Sequence, residues 1–299
     1  MAKFATPLTI AATLVLTGVL AEAQARSQKP SERRTHEVYV SVVDKDGKAV
    51  TGLTAADFTV REDNVAREVL KVGPATEPIT LAITVDDSAA ARNYIQFFRD
   101  GLKGFVRKME GKAEIALSTF GDRPTSVVEY TQNTAQLDKG INSLFSRTSA
   151  GATLLEALND LARGLARREV PRKAIVVLLA ENGTEFSNLY YQNVLDALKK
   201  SGASLHVLAI GPPSDSLNDE MKNRNIVVAD GTSITGGRRD QVLAESGIPD
   251  RLLKVADDLT NQYVVSYSRP ETLIPPEKLD VAVTKQGLTV RAPKRAPGR

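Results

Sequence analysis

The chain has 299 residues, a formal charge of +3 and a hydrophobic fraction of 42%, the make-up of one large or two ordinary globular domains. It has no Cys, which excludes a thiol nucleophile, a disulfide framework and a thiolate zinc site. So small a net charge gives no reason to expect a nucleic-acid partner.

The chain opens with Lys3, an uncharged apolar run from Leu8 to Leu20, and Ala21-Glu22-Ala23-Gln24-Ala25, which holds two overlapping A-x-A sites. Basic, then apolar, then small is the order of a secretory signal peptide, here residues 1–25. The run is shorter than the ~20 residues needed to span a bilayer. The expectation is a periplasmic or secreted protein with no membrane span after cleavage; an uncleaved anchor is the alternative.

Residues 26–35 are polar and read as a linker. His36 to Val43 alternates as a half-buried strand, Asp44-Lys45-Asp46-Gly47 is a turn, Phe58 to Glu62 is a second strand and Val65 to Val72 a third. This unit, 36–75, is too small to bury a core alone and needs a partner. Over 77–261 strands and helices alternate. Leu81–Val85, Ala113–Phe120, Lys173–Ala180 and Leu205–Ile210 read as strands, and Ser126–Tyr130 as an antiparallel edge strand. Helices are expected at Ala91–Met109, Leu137–Leu144, Thr153–Leu165, Asn188–Lys200 and Ile248–Leu259, while Ser214 to Gly247 gives no clear pattern. β pattern returns over 262–293, at Gln262–Ser268, Leu279–Thr284 and Leu288–Arg291. Arg291, Lys294, Arg295 and Arg299 end the chain in a solvated basic tail, 294–299. The fold expected is α/β: a doubly wound, mostly parallel sheet with one antiparallel edge strand, inserted in a small antiparallel β module.

Ligands of open α/β sheets bind at the carboxyl ends of the strands. There Leu81–Val85 ends in Asp86-Asp87-Ser88, and Asp86 and Ser88 are oxygen donors suited to a hard cation such as Mg²⁺. The same two residues could instead cap the following helix. The histidines, His36 and His206, sit on strands with no Ser or Asp pattern around them and read as structural. Asp122 follows Phe120-Gly121 and serves a turn. Glu181 and Glu185 form a pair of acids, but nothing in the sequence marks either for proton transfer. Gly231 and Gly236-Gly237 lack the setting of a dinucleotide fingerprint, and no phosphate loop is present.

The order strand, Asp86-x-Ser88 loop, helix, strand, hairpin strand, helices, Thr153 loop, strand resembles a von Willebrand factor A domain. Asp46-Gly47-Lys48 and Leu53-Thr54-Ala55-Ala56-Asp57-Phe58 before it, and Gln262 to Tyr267 after it, resemble the flanks of this domain in exported bacterial proteins related to that family. The resemblance implies a divalent ion held by a D-x-S-x-S loop, a Thr and an Asp, with one position left for a partner's carboxylate. In this chain those positions fall on Asp86, Ser88 and Ala90, on Thr153, and on the loop Ala180-Glu181-Asn182-Gly183. Ala90 brings no hydroxyl, and Glu181 or Asn182 stands where Asp is expected. What it implies is therefore a weak or vestigial metal site of Asp86, Ser88, Thr153 and Glu181, with no cofactor or weakly bound Mg. The function expected is that of an exported, non-enzymatic module that binds another protein or a cell-envelope component. The alternatives are a Mg-dependent adhesin and a metal-assisted hydrolase using Glu181, Glu185 and Asp86.

Overall fold

The structure, a computed structural model, describes Met1 and residues 33–214, 218–271 and 274–296. The expected signal peptide, apart from Met1, lies outside the described residues, as does most of the expected linker. At Arg33 the chain is already in a strand, β1 (Arg33–Val43), so residues 33–35 belong to a sheet and not to a linker. β2 (Phe58–Glu62) follows, and a tight turn through Asp63 and Asn64, both with positive φ, leads into β3 (Val65–Arg67) and β4 (Val69–Pro74). Such φ values are what a two-residue hairpin demands, and Asp and Asn tolerate them. The single strand expected over 65–72 is therefore two strands, which join different sheets.

β5 (Ile79–Val85), α1 (Ile95–Met109), β6 (Ala113–Thr119), β7 (Thr125–Thr131), α2 (Thr134–Asn142) and α3 (Leu154–Ala166) open the α/β part. β8 (Arg172–Ala180), α4 (Tyr191–Ser201), β9 (Ser204–Ile210), α5 (Asp219–Thr235), β10 (Arg238–Val242) and α6 (Ile248–Thr260) complete it. These six strands stand in the order β10-β9-β8-β5-β6-β7, all parallel except β7. This is the doubly wound sheet with one antiparallel edge that the sequence predicts. Its central strands are apolar on both faces. Ala174, Val176 and Leu178 pack toward α1 and α6, while Ile175, Val177 and Leu179 pack toward α3, α4 and α5. Burying each of these Val, Leu and Ile side chains contributes roughly 1.5–3 kcal/mol, so the run that is least informative about periodicity is the centre of the fold.

The unread stretch holds α5 and β10. Asn218 caps α5 by accepting from the Met221 amide, and Gly236, with φ +73°, ends it. The apolar residues of α5 bunch at Ile226-Val227-Val228-Ala229 instead of spacing out, which hides the helix from a periodicity reading. α1 begins four residues later than expected, because Ala89–Ala91 form a separate 3₁₀ turn.

β11 (Tyr263–Pro270), β12 (Leu279–Val283) and β13 (Thr289–Arg291) return to the first β segment. They complete a four-stranded sheet, β13-β1-β11-β4, and a three-stranded sheet, β12-β2-β3. Val38, Val40 and Val42 meet Phe58, Val60, Val265, Tyr267 and Leu279 in a core of their own. Glu62 is wholly buried between the two sheets, held by Tyr267, Arg67 and Arg269. The basic end is not a free tail as far as it is described. Arg291 pairs with Asp258, Lys294 Nζ donates to Ser233, and Ala296 is buried.

Candidate functional site

β5 ends at the centre of the sheet, so the residues after Val85 emerge among the loops that follow β6 and β8. Asp86 is fully buried. Its Oδ1 accepts from the Ser88 amide at 2.9 Å and its Oδ2 from the Ala180 amide at 3.0 Å. Loss of solvent nevertheless raises the Asp86 pKa, and those hydrogen bonds oppose the rise only in part. Ser88 Oγ is buried without a hydrogen bond of ordinary geometry, though it stays close enough to Asp86 to favour the carboxylate. Neither residue caps a helix by its side chain: the Asp86 carboxylate closes its own turn and reaches across to β8, and Ser88 makes no cap hydrogen bond. The capping role weighed from the sequence is thereby corrected. Asp87 turns the other way, accepting from the Gly121 amide and pairing with Arg147 at 2.9 Å.

Thr153 precedes α3, and its hydroxyl donates to the Phe120 carbonyl at 2.9 Å. The loop before it is laid on the Asp86–Ser88 turn. Ser146 Oγ donates to the Ser88 carbonyl, the Arg147 amide to Asp87 O, and the Ala89 amide to Ala150 O. Asp122 takes a left-handed conformation and donates its amide to Gly151 O, as a turn residue should.

The third loop departs from the expected ligand set. Glu181 Oε1 faces two guanidinium groups, Arg239 at 3.3 Å and Arg224 at 3.5 Å, while its Oε2 has no hydrogen-bond partner. Arg224, from the first turns of α5, is 0% exposed. Its Nη2 donates to the Glu181 carbonyl at 2.9 Å and its Nη1 to the Gly183 carbonyl at 3.0 Å. Burial lowers the Arg224 pKa, opposed by the negative charges of Glu181, Glu185 and Asp86. Gly183 is pressed so close that a Cβ there would lie 3.2 Å from Ala90 Cβ and 3.7 Å from Asp86 Oδ2. Glu185 is buried as well and accepts from Ser187 Oγ; loss of solvent raises its pKa to about 7. Asn182, the other possible ligand of this loop, points outward and is exposed.

The six-stranded, doubly wound sheet with one antiparallel edge strand is the architecture that the resemblance in the sequence implies. A von Willebrand factor type A structure from Catenulispora acidiphila is similar to the chain at 12% identity with a TM-score of 0.49, over 91% of this chain and 74% of that one. BatB from Bacteroides thetaiotaomicron is similar at 14% identity and a TM-score of 0.44, over 60% and 97%. Proximal thread matrix protein 1 from the mussel byssus, with a zinc-occupied metal-ion-dependent adhesion motif, is similar at 15% identity and 0.49, over 67% and 49%. The chain spans about half the length of the mussel byssus structures it matches. No family model and no curated protein matches the chain. At these identities the likeness concerns the fold and says nothing of this site.

The site therefore has to be judged on its own atoms. Ser88 Oγ and a Thr153 lone pair remain open to a cation. Against them stand the absent hydroxyl at Ala90, the Glu181 carboxylate turned toward two arginines, and Gly183 seated over Asp86. A divalent ion here would also face the buried Arg224 charge at low dielectric, where repulsion is poorly screened. Among the described residues no group of three or more His, Cys, Asp or Glu could hold a metal. The residues present do not fit a von Willebrand factor A-type Mg²⁺ site, and the cation at their centre is a guanidinium.

The structure brings Asp86, Ser88, Thr153 and Glu181 to one end of the sheet, and adds Arg224 and Arg239, which the sequence reading did not single out. Arg224 falls on the buried stripe of α5 with Met221, Val228 and Gly231. That stripe becomes visible only once the helix is recognised. His206 is remote from these loops, buried beside Arg238. Burial and the charges of Arg238 and Arg291 push its pKa down to about 3, so it stays neutral against Ser204 Oγ at 3.0 Å.

Proposed function

We propose that this chain is an exported, non-enzymatic interaction module that engages a protein or another cell-envelope component through the carboxyl-end loops of its sheet, without a metal ion. The observation that carries this reading is the placement of its exposed aromatic side chains. Phe145, Phe186 and Tyr190 are 64%, 60% and 56% exposed, and all three stand on the loops around Asp86. Phe145 begins the loop that covers Ser88, Phe186 lies over Gly151 of that loop, and Tyr190 precedes α4. Leu243, just past β10 at the same end, is 74% exposed. Aromatic residues are enriched where partners bury surface, while water gives no reason to gather them at one end.

The acids beneath this rim are ill placed for catalysis. Asp86, Glu181 and Glu185 are all buried, and each is occupied by backbone amides, arginines or a serine. This weighs against the hydrolase reading, since a general acid or base must reach its substrate. The test is capture from envelope extract with wild type and a Phe145→Ser/Phe186→Ser/Tyr190→Ser variant, each with and without a chelator. The reading predicts a partner retained by wild type in chelator and lost by the variant. Equal capture by both proteins, or capture that needs added Mg²⁺, contradicts it.

A further inference from the structure

At the opposite end of the sheet, where the α/β part meets the β module, there is a cavity of about 410 Å³. That volume is within the ~300–1,000 Å³ range of small-molecule sites, which favour junctions of this kind. Its floor is apolar, built from Val38, Ile79, Leu198 and Leu259, and its charged groups are mostly cations: Arg172, Lys173, Lys199, Lys200 and Arg295. Glu37 is the one acid in the lining, and its Oε1 already accepts from Ser266.

The cations are unequal. Arg172 is buried and committed to structure. Its Nη1 donates to Ala75 O and Glu77 O, and its Nη2 to Leu259 O and Gln262 Oε1, which clasps the two points where the chain enters and leaves the α/β part. Its Nε is left without a hydrogen-bond partner, and its guanidinium carbon lies 5.5 Å from the Tyr39 ring centre. Lys199 pairs with Asp196. Lys173, the next residue of β8, is half-buried, and among the described residues neither it nor Lys200 meets an acid. A partly desolvated ammonium with no counter-charge is costly; Lys173 is such a group, and Lys200, which is exposed, brings a second cation to the mouth of the same cavity.

We infer that this cavity binds a small amphiphilic anion, a carboxylate on an apolar body, with the carboxylate at Lys173 and Lys200 and the body on Val38, Ile79, Leu198 and Leu259. Arg172 is a positioning residue that holds the floor open between the two parts of the molecule. The site is separate from the Asp86 face, and the inference stands whether or not that face binds a protein.

Decanoate, decanol and acetate, titrated calorimetrically into the full mature chain, test it directly. Decanoate binds, whereas decanol, which lacks the charge, and acetate, which lacks the body, each bind at least about tenfold more weakly. Lys173→Gln and Lys200→Gln, checked for an unchanged melting temperature, each weaken decanoate by about tenfold or more, and Lys173→Arg retains it. If Lys173→Gln does not fold, Lys200→Gln carries the comparison. Sedimentation with anionic phospholipid vesicles identifies the source. Binding to both decanoate and vesicles points to a lipid, and binding to decanoate alone to a free carboxylate. The inference is overturned if decanoate does not bind, if it binds no better than decanol, if the Gln variants leave it unchanged, or if the protein sediments with vesicles but ignores decanoate.

Discussion

Arg224 settles the character of the candidate site. Its forked donors hold two carbonyls of the Glu181–Gly183 loop, and its charge sits among Asp86, Glu181 and Glu185. Replacing it with Met leaves those carbonyls and carboxylates without their buried cation, a loss worth roughly 3–5 kcal/mol. Urea unfolding should show a midpoint lowered to match, with the slope unchanged. Glu185 makes a second prediction. Its folded pKa of about 7 lies above the ordinary 4.5, so the folded state binds its proton more tightly than the unfolded state. The stability this provides is complete below about pH 4.5 and is lost as pH rises through 7. Glu185→Gln removes the effect. It should flatten the pH dependence of stability across that window and leave the variant more stable than wild type at pH 8, by about 1–3 kcal/mol. Equal pH profiles for the two proteins contradict the assignment. Part of this was legible in the sequence. The Asp86-x-Ser88 turn is announced by an apolar strand running into small polar residues, and Thr153 by the small-residue loop before it. Arg224 and the closeness of Gly183 to Ala90 were not, because both depend on how α5 and the β8 loop pack across a distance that no local pattern encodes.

Among the elements, those with a clear period were readable and those without one were not. β5, β8 and β9 announce themselves as short apolar runs bounded by turns, and α1, α3, α4 and α6 by apolar residues at helical spacing. α5 escaped because Ile226-Val227-Val228-Ala229 concentrates its apolar surface in one place. β10 escaped because Arg238, Arg239, Asp240 and Gln241 are polar. Arg238 is accommodated in the edge strand by ion pairs of 2.7 Å to Asp258 and Asp240. The return strand β11 has a larger structural role than its length suggests. It lies between β1 and β4, so without it neither keeps its central neighbour. A chain truncated before Tyr263 should expose Val38, Val40 and Val42 and lose amide protection in β1, because such strands need a packed partner. Hydrogen exchange on the truncated chain checks this; β1 protection equal to that of the full chain would contradict it.

Taken whole, the molecule places its two unusual features at opposite ends of one sheet. At the carboxyl end, acids are buried under an aromatic rim and balanced by an internal guanidinium. At the other end, a cation-lined cavity lies against the β module. The central claim is that the Asp86 face carries its own cation and works without a divalent ion. Its most direct test is the melting temperature of the protein in chelator and in millimolar Mg²⁺ or Mn²⁺. An ion bound at a hundredfold excess over its Kd would add about 2.7 kcal/mol to stability, a shift easily seen. The account predicts coincident melting curves in all three conditions. A metal-dependent rise that disappears in Asp86→Ala would contradict it.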